Sequence, residues 1–123
     1  MHLPALSTMT NAIVIGACDH SAERQQRAAS KWKVPVFADA EEMIARSSPD
    51  LVIVATPPDT HADLCIRALE AGANVLCEKP FVQTVAEADR VLDAVARTGN
   101  RVALNHEFRE MPIFRAVIDA VRA

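Results

Sequence analysis

The sequence predicts an α/β fold built on a doubly wound parallel sheet. Apolar runs rich in β-branched residues, such as residues 51–55, alternate with amphipathic helical patterns along nearly the whole chain. Strands that alternate with helices in this way indicate successive βαβ units and therefore parallel pairing. The runs are apolar throughout rather than alternating, which is typical of strands covered on both faces.

The first half of the chain is predicted to contain three strands and two helices. The strands are expected over residues 12–18, 36–38 and 51–55. Between the first two strands, Ser21 can cap a helix that runs to about Trp32. After the second strand, Asp39 and Glu42 have the spacing of a capping box for a short helix.

The second half is predicted to repeat this alternation. A helix that begins at Asp59 or Thr60 and ends near Gly72 carries one apolar stripe, formed by His61, Cys65, Ala68 and Leu69. A strand is expected next, over residues 74–77. A second capping box, Thr84 with Glu87, begins a helix that stops at Gly99 and has an apolar face of Val85, Ala88, Val91, Leu92 and Val95.

A short strand over residues 102–104 and a final helix complete the predicted order. Pro112 suits the first turn of that helix. The helix has an apolar face of Ile113, Phe114, Val117, Ile118 and Val121. Every predicted strand except the last is thus followed by a helical pattern within a few residues, as a doubly wound sheet requires.

The composition excludes several classes of protein. The 123 residues suffice for one domain with a modest core, and a net charge of −3 predicts no nucleic-acid partner. No apolar run approaches the roughly 18 residues of a membrane span, and the N-terminus lacks the basic region of a signal peptide. The three cysteines have no metal-ligand spacing and lie in apolar surroundings, which favours buried thiols in a reducing cytoplasm.

A dinucleotide-binding sheet of this kind normally opens with a strand, a glycine-rich loop of the pattern G-x-G-x-x-G, and a helix. The glycines of this chain are Gly16, Gly72 and Gly99, and none of them forms that loop. We therefore expect a Rossmann-like sheet that lacks the first strand and the loop, so that the sequence begins inside the motif. In the order 3-2-1-4-5-6, this leaves a gap between the strands at residues 12–18 and 51–55. Unpaired edges favour association, so a homo-oligomer is compatible with the chain.

The strand at residues 74–77 runs directly into Glu78, Lys79 and Pro80. Ligands bind at the carboxyl ends of the strands in open α/β sheets. There Glu78 can hold the Lys79 ammonium, which can donate to a substrate oxygen or relay a proton. Pro80 stops the strand. The alternative is a surface Glu-Lys pair without a function.

These motifs resemble the Gfo/Idh/MocA family of NAD(P)-dependent oxidoreductases, named for glucose-fructose oxidoreductase and inositol dehydrogenase. The most specific match is the pair formed by residues 54–61 (VATPPDTH) and residues 71–80 (AGANVLCEKP). Residues 2–6 are similar to the helix after the glycine loop of that family, residues 17–19 to the end of its second strand, and residues 105–112 to the arginine-containing segment that leaves its nucleotide domain. The resemblance implies that residues 1–123 form a partial dinucleotide-binding domain, and that the substrate domain which follows in the family is absent.

The resemblance also implies roles for individual residues. Lys79 would be catalytic and would face the nicotinamide and the reacting carbon, beside Glu78 and Pro80, with a cis Lys79–Pro80 bond. Asp19 would accept hydrogen bonds from the adenine-ribose hydroxyls, which favours NAD over NADP because a 2′-phosphate would meet a carboxylate. The alternative for Asp19 is an N-cap.

The remaining implied cofactor contacts have structural alternatives of their own. Thr56 and Pro57 would line the cofactor, or form a plain strand-to-helix turn. His61 would lie near the cofactor, or serve in packing or capping. Arg109 would approach the cofactor or the substrate, or remain exposed. His106 and Glu107 look incidental, and we assign them no metal.

The function implied is that of a nucleotide-binding fragment of an oxidoreductase acting on the CH–OH group of a sugar, polyol or related small molecule. NAD and that substrate would be its partners. By itself, the chain is expected to be inactive. Two other interpretations stay open: a non-catalytic Rossmann-like binding or regulatory module, and a gene remnant or mis-called start with no activity of its own.

Overall fold

The computed structural model describes residues 2–122 of a chain that divides into two compact units, Met1–Asp50 and Leu51–Ala123. Each unit combines parallel strands with helices, so the predicted α/β class is confirmed. No helix among residues 2–122 is long and apolar enough to cross a membrane.

The first unit contains a two-stranded parallel sheet and three helices. Its elements are α1 (His2–Leu6), β1 (Ala17–Cys18), α2 (Ala22–Trp32), β2 (Val36–Phe37) and α3 (Ala40–Ser47). Ala17 lies opposite Val36 in the β1–β2 register. Both predicted helix starts are confirmed, because the side chains of Ser21 and Asp39 accept the backbone N–H groups of Arg24 and Glu42.

The first apolar run forms less strand than its composition predicts. The expected strand over residues 12–18 is wrong in length, since only Ala17–Cys18 is strand. The length of β1 is limited by its pairing, because within the described part of the chain β1 is hydrogen-bonded only to the two-residue strand β2. Ile13 is 87% exposed and gains little from burial. A β-branched sequence favours extended backbone, but the strand also needs a neighbour.

The second unit contains a three-stranded parallel sheet in the order β3-β4-β5. Its strands are β3 (Leu51–Val54), β4 (Asn74–Cys77) and β5 (Val102–Leu104), and its α-helices are α4 (His61–Glu70), α5 (Val85–Thr98) and α6 (Pro112–Arg122). Two 3-10 helices, Pro58–Thr60 and Glu107–Glu110, follow the ends of β3 and β5. In register, Val54 lies opposite Cys77, and Cys77 lies opposite Leu104.

The core of the second unit lies between its sheet and its helices. The predicted stripe of α4 is confirmed, since its members His61, Cys65, Ala68 and Leu69 are all fully buried. The predicted face of α5 is too wide, because Val85 and Leu92 are 78% and 58% exposed, while Val91 and Ala94 are buried. None of the residues of α6 is buried, so its apolar face points outward.

Caps define the two ends of α5. Thr84 and Glu87 form the predicted capping box. One Glu87 oxygen, Oε2, accepts the N–H groups of both Gln83 and Thr84, at 2.8 and 3.0 Å. At the other end, Gly99 adopts a positive φ of 75°, a conformation that glycine reaches without a steric penalty.

The pairing of the strands follows the expected topology. The first unit pairs β1 with β2, and the second pairs its strands in the order β3-β4-β5, both in parallel as a doubly wound fold requires. Among residues 2–122, no strand pairs with both β1 and β3.

Candidate cofactor and catalytic site

The carboxyl ends of the three strands in the second unit are tied together by backbone hydrogen bonds. Glu78 N–H donates to Val54 O at 2.9 Å, and Asn105 N–H donates to Cys77 O at 2.8 Å. These bonds extend the sheet ladder by one residue beyond β4 and β5. Lys79 is thereby placed at the sheet edge where open α/β sheets bind ligands. The Lys79–Pro80 bond is cis, as expected.

Lys79 presents a partly exposed ammonium group. Its Nζ lies 3.3 Å from Glu107 Oε1, and the two side chains are 36% and 39% exposed. The same Nζ lies 4.9 Å from the centre of the Phe108 ring, in a cation–π contact. Both partners come from the 3-10 helix after β5. An ammonium held in this way keeps donor capacity for an oxygen atom from outside the fold.

Glu78 contacts both the Asn105 side chain and the Lys79 backbone. Glu78 Oε1 accepts the side-chain amide of Asn105 at 2.7 Å, and Glu78 Oε2 accepts the backbone N–H of Lys79 at 3.2 Å. The carboxylate therefore joins the segment after β4 to the segment after β5. Sequence reasoning missed Asn105 and Glu107, because both contacts span 27 or 28 residues. Only their place after a strand in the same sheet could have indicated them.

His61 is fully buried at the start of α4. Its Nε2 lies 2.8 Å from Thr56 O, and its Nδ1 lies 2.9 Å from Pro80 O and 3.1 Å from Phe81 O. The ring thus bridges the segment after β3 and the segment after β4. The geometry favours the packing alternative for this histidine, since no part of its ring is open to a ligand.

Two buried thiols lie beneath the site. Cys77 Sγ lies 3.4 Å from His61 Nδ1. A hydrogen bond with the Cys65 thiol lowers the pKa of Cys77, and the nearby His61 lowers it further, although burial opposes both effects. The same hydrogen bond, together with burial, raises the pKa of Cys65. Both side chains are fully enclosed, so they contact the fold rather than solvent.

Thr56 and Pro57 form an exposed turn at the end of β3. The Thr60 hydroxyl lies 2.7 Å from both Thr56 Oγ1 and Pro57 O, which fixes the turn. Because the turn is both exposed and fixed, it can line a ligand. Arg109 is exposed on the 3-10 helix after β5. This position agrees with the alternative interpretation, in which Arg109 remains exposed.

Asp19 belongs to the first unit and directly follows β1. Its Oδ1 accepts the Ser21 N–H at 2.9 Å, and its Oδ2 lies 3.4 Å from Arg24 Nη1. The carboxylate thus supports the start of α2 and forms an ion pair that sequence reasoning missed. Beside it is a cavity of about 240 Å³, whose lining includes Asp19, Arg24, Gln25, Arg27 and Trp32.

Comparison with known proteins identifies related sequences and folds. A family model described as "Oxidoreductase family, NAD-binding Rossmann fold" (GFO_IDH_MocA) matches residues 1–106. D-apiose dehydrogenase from Paraburkholderia graminis is 31% identical over 122 residues, which are 98% of this chain and 32% of that protein. Inositol 2-dehydrogenase from Salmonella typhimurium is 33% identical over 104 residues, which are 82% of this chain and 31% of that protein.

A solved structure shows the same likeness in three dimensions. A 3-ketoreductase from Actinomadura kijaniata, crystallised with NADP and TDP-benzene, superposes with a TM-score of 0.88 at 28% identity. The match covers 98% of this chain and 37% of the ketoreductase. The chain therefore spans about a third of the length of the relatives it matches.

Proposed function

This chain belongs to the Gfo/Idh/MocA family of oxidoreductases with an NAD-binding Rossmann fold, and from that premise we propose that it supplies the cofactor side of a dehydrogenase site. The reaction is hydride exchange between a nicotinamide cofactor and a CH–OH carbon of a sugar, polyol or related small molecule. D-apiose dehydrogenase and inositol 2-dehydrogenase, by name, act on such compounds. Lys79 is the proposed catalytic residue.

The observation that carries the proposal is the environment of Lys79. Its ammonium lies at the carboxyl edge of a parallel sheet, partly exposed and fixed by Glu107 at 3.3 Å. A substrate hydroxyl or carbonyl oxygen is the natural partner for its free N–H groups. Oxidation of a CH–OH group also releases the hydroxyl proton, which a positioned lysine can relay to solvent. The nicotinamide, when bound, exchanges the hydride.

The residues present fit a dinucleotide. Thr56 and Pro57 form an exposed, fixed turn at the same sheet edge as Lys79, and so can line the cofactor. Glu78 and Pro80 belong to the segment that carries Lys79, and Arg109 offers an exposed cation. We assign His61 to positioning, because its two ring nitrogens lie 2.8 and 2.9 Å from the carbonyl oxygens of Thr56 and Pro80 and face no external ligand.

Asp19 is the proposed determinant of cofactor choice. Its carboxylate can accept hydrogen bonds from ribose hydroxyls and repels a 2′-phosphate, so NAD is the preferred cofactor. Arg24, 3.4 Å from that carboxylate, offsets part of the repulsion. The preference for NAD over NADP is therefore modest. We place the protein in the cytoplasm, in keeping with its free cysteines.

A chimeric enzyme tests this function. The chain replaces the matching segment of D-apiose dehydrogenase, which keeps all its other residues, and D-apiose-dependent reduction of NAD is followed by absorbance. We expect turnover whose rate falls sharply when Lys79 is replaced by Ala. A folded chimera that binds NAD but never turns over would instead support the non-catalytic binding module. A folded chimera that binds neither NAD nor NADP would support the remnant without activity.

A further inference from the structure

The 3-10 helix Glu107–Glu110 places two consecutive side chains against one ammonium group. We propose that Glu107 and Phe108 act as a clamp on Lys79, holding its ammonium in one orientation toward a substrate oxygen. Both are positioning residues, since they act through Lys79. The part of this inference that concerns the substrate rests on the proposed function, whereas the clamp itself is a property of the chain alone.

The two contacts restrict the ammonium from different directions. Glu107 Oε1 lies 3.3 Å from Nζ and accepts one of its hydrogens, while the Phe108 ring centre lies 4.9 Å away. A lysine ammonium has three N–H donors, so donor capacity remains for a further oxygen. The long lysine side chain would otherwise sample many rotamers at a partly exposed position. The clamp therefore selects a direction for the remaining donors.

The backbone that carries the clamp is attached to the strand that carries Lys79. Asn105 N–H donates to Cys77 O, and the Asn105 amide donates to Glu78 Oε1 at 2.7 Å. Within the clamp segment, His106 N–H donates to Leu104 O, and Arg109 N–H donates to His106 O. The ammonium and its two partners are thus fixed to the same pair of strands, which keeps their geometry constant.

The energetics favour a positioning role over a stabilising one. The Lys79 and Glu107 side chains are each more than a third exposed, and ion pairs at such positions contribute little to folding. Cation–π contacts at exposed sites are similarly weak. Glu107 also neutralises the charge of Lys79. The ammonium is consequently better suited to a neutral hydroxyl or carbonyl oxygen than to a carboxylate.

Glu110 provides a matched control in the same 3-10 helix. Its carboxylate lies 3.5 Å from Arg115 Nη1 and is 79% exposed. Glu110→Gln therefore removes the same charge from the same short helix without touching the contact between Lys79 and Glu107. Glu107→Gln keeps the size of the side chain and removes only its charge.

The test is NMR spectroscopy of the isotope-labelled chain, which needs neither cofactor nor substrate. The lysines of the sequence are Lys31, Lys33 and Lys79, so there are few ε-methylene signals. The signal that disappears in the Lys79→Arg variant is that of Lys79. We expect the Lys79 signal to lie upfield of that of Lys33, because the Phe108 ring shields it. Phe108→Leu should abolish the upfield displacement, Glu107→Gln should reduce it, and Glu110→Gln should leave it unchanged.

Two results would overturn the clamp. One is a Lys79 signal at the position of an exposed lysine in the unaltered chain. The other is a Glu107→Gln variant that keeps the full displacement while its amide spectrum shows a native fold. Either result would leave the dehydrogenase proposal standing if the chimera turns over. A confirmed clamp in a chimera without turnover would instead count only against the proposed function.

Discussion

The two units of this chain differ in how much fold supports their site residues. In the first unit, Ile44 is the single buried apolar side chain among the described residues, and the sheet has two strands of two residues each. In the second unit, α4, α5 and three parallel strands enclose fully buried side chains that include Leu69, Val75 and Val91. Asp19 thus belongs to a unit with little buried apolar core, and Lys79 to a unit with a well-packed core.

This difference matches the precision that the two proposed tasks require. Hydride transfer needs reacting groups aligned within a near-attack geometry, and a displacement of about 1 Å can be costly. Selection between NAD and NADP needs only a charge of the right sign near a ribose. These requirements predict tighter packing around Lys79 than around Asp19.

The largest expected effect is on catalysis by the second unit. In the D-apiose dehydrogenase chimera, Lys79→Ala should lower kcat by about 10²–10⁴-fold, the usual contribution of general acid–base catalysis. NAD affinity should stay nearly unchanged, because Lys79 is proposed to act on the reacting groups rather than to anchor the cofactor. Lys33→Ala in the first unit is the matched control and should leave kcat intact. If the Lys79→Ala enzyme keeps most of its kcat, Lys79 has no part in the mechanism.

The next effect is on stability. His61→Ala should lower the unfolding free energy of the second unit by about 2–4 kcal/mol, because backbone carbonyl groups lose a buried donor. Urea denaturation followed by circular dichroism measures this change. His106→Ala, an exposed histidine of the same unit, should change it by less than about 0.5 kcal/mol. Equal losses for the two variants would contradict the bridging role of His61.

A smaller effect compares the two sheets directly. In native-state hydrogen exchange, the Val75 amide, bonded to Arg101 O at 2.8 Å, should be protected more than the Ala17 amide, bonded to Pro35 O at 2.9 Å. We expect a ratio of at least about tenfold, since local opening follows the density of buried contacts. Equal protection of these two amides would remove the contrast between the units.

The smallest effect concerns cofactor choice in the first unit. In the chimera, Asp19→Ser should narrow the preference for NAD over NADP by roughly 2–5-fold, the scale of a partly exposed charge interaction. The ratio of dissociation constants for the two cofactors measures it. Asp93→Ser, which removes an exposed carboxylate from α5, should leave the ratio unchanged. Equal affinity for both cofactors before any substitution would refute the role of Asp19.

Sequence patterns predicted the second unit well because its signals are local. The run at residues 51–54 and the Thr84–Glu87 capping box determine their elements within a few residues. The length of the strand predicted at residues 12–18 depends on whether a neighbouring strand pairs with it. The local sequence does not predict that pairing. The burial of the α4 stripe was predictable from its period, whereas the outward position of Val85 depended on how α5 packs.

The site was predictable in its location and less so in its contacts. Lys79 follows from a strand that ends in a charged corner, but its ion pair with Glu107 joins residues from two different strands. The sequence alone does not indicate a role for Glu107, because nothing within its own segment distinguishes it from Glu110. The role of His61 was undecided for a similar reason, since the carbonyl groups it contacts at Pro80 and Phe81 lie 19 and 20 residues away.

The segment between Lys79 and α5 is anchored at both of its ends. His61 Nδ1 lies 2.9 and 3.1 Å from the carbonyl oxygens of Pro80 and Phe81, and Glu87 accepts the N–H groups of Gln83 and Thr84. Its length is therefore fixed: an inserted or deleted residue would release one anchor and shift the register of the other. The segment Pro80 to Thr84 therefore sets the spacing between Lys79 and the start of α5.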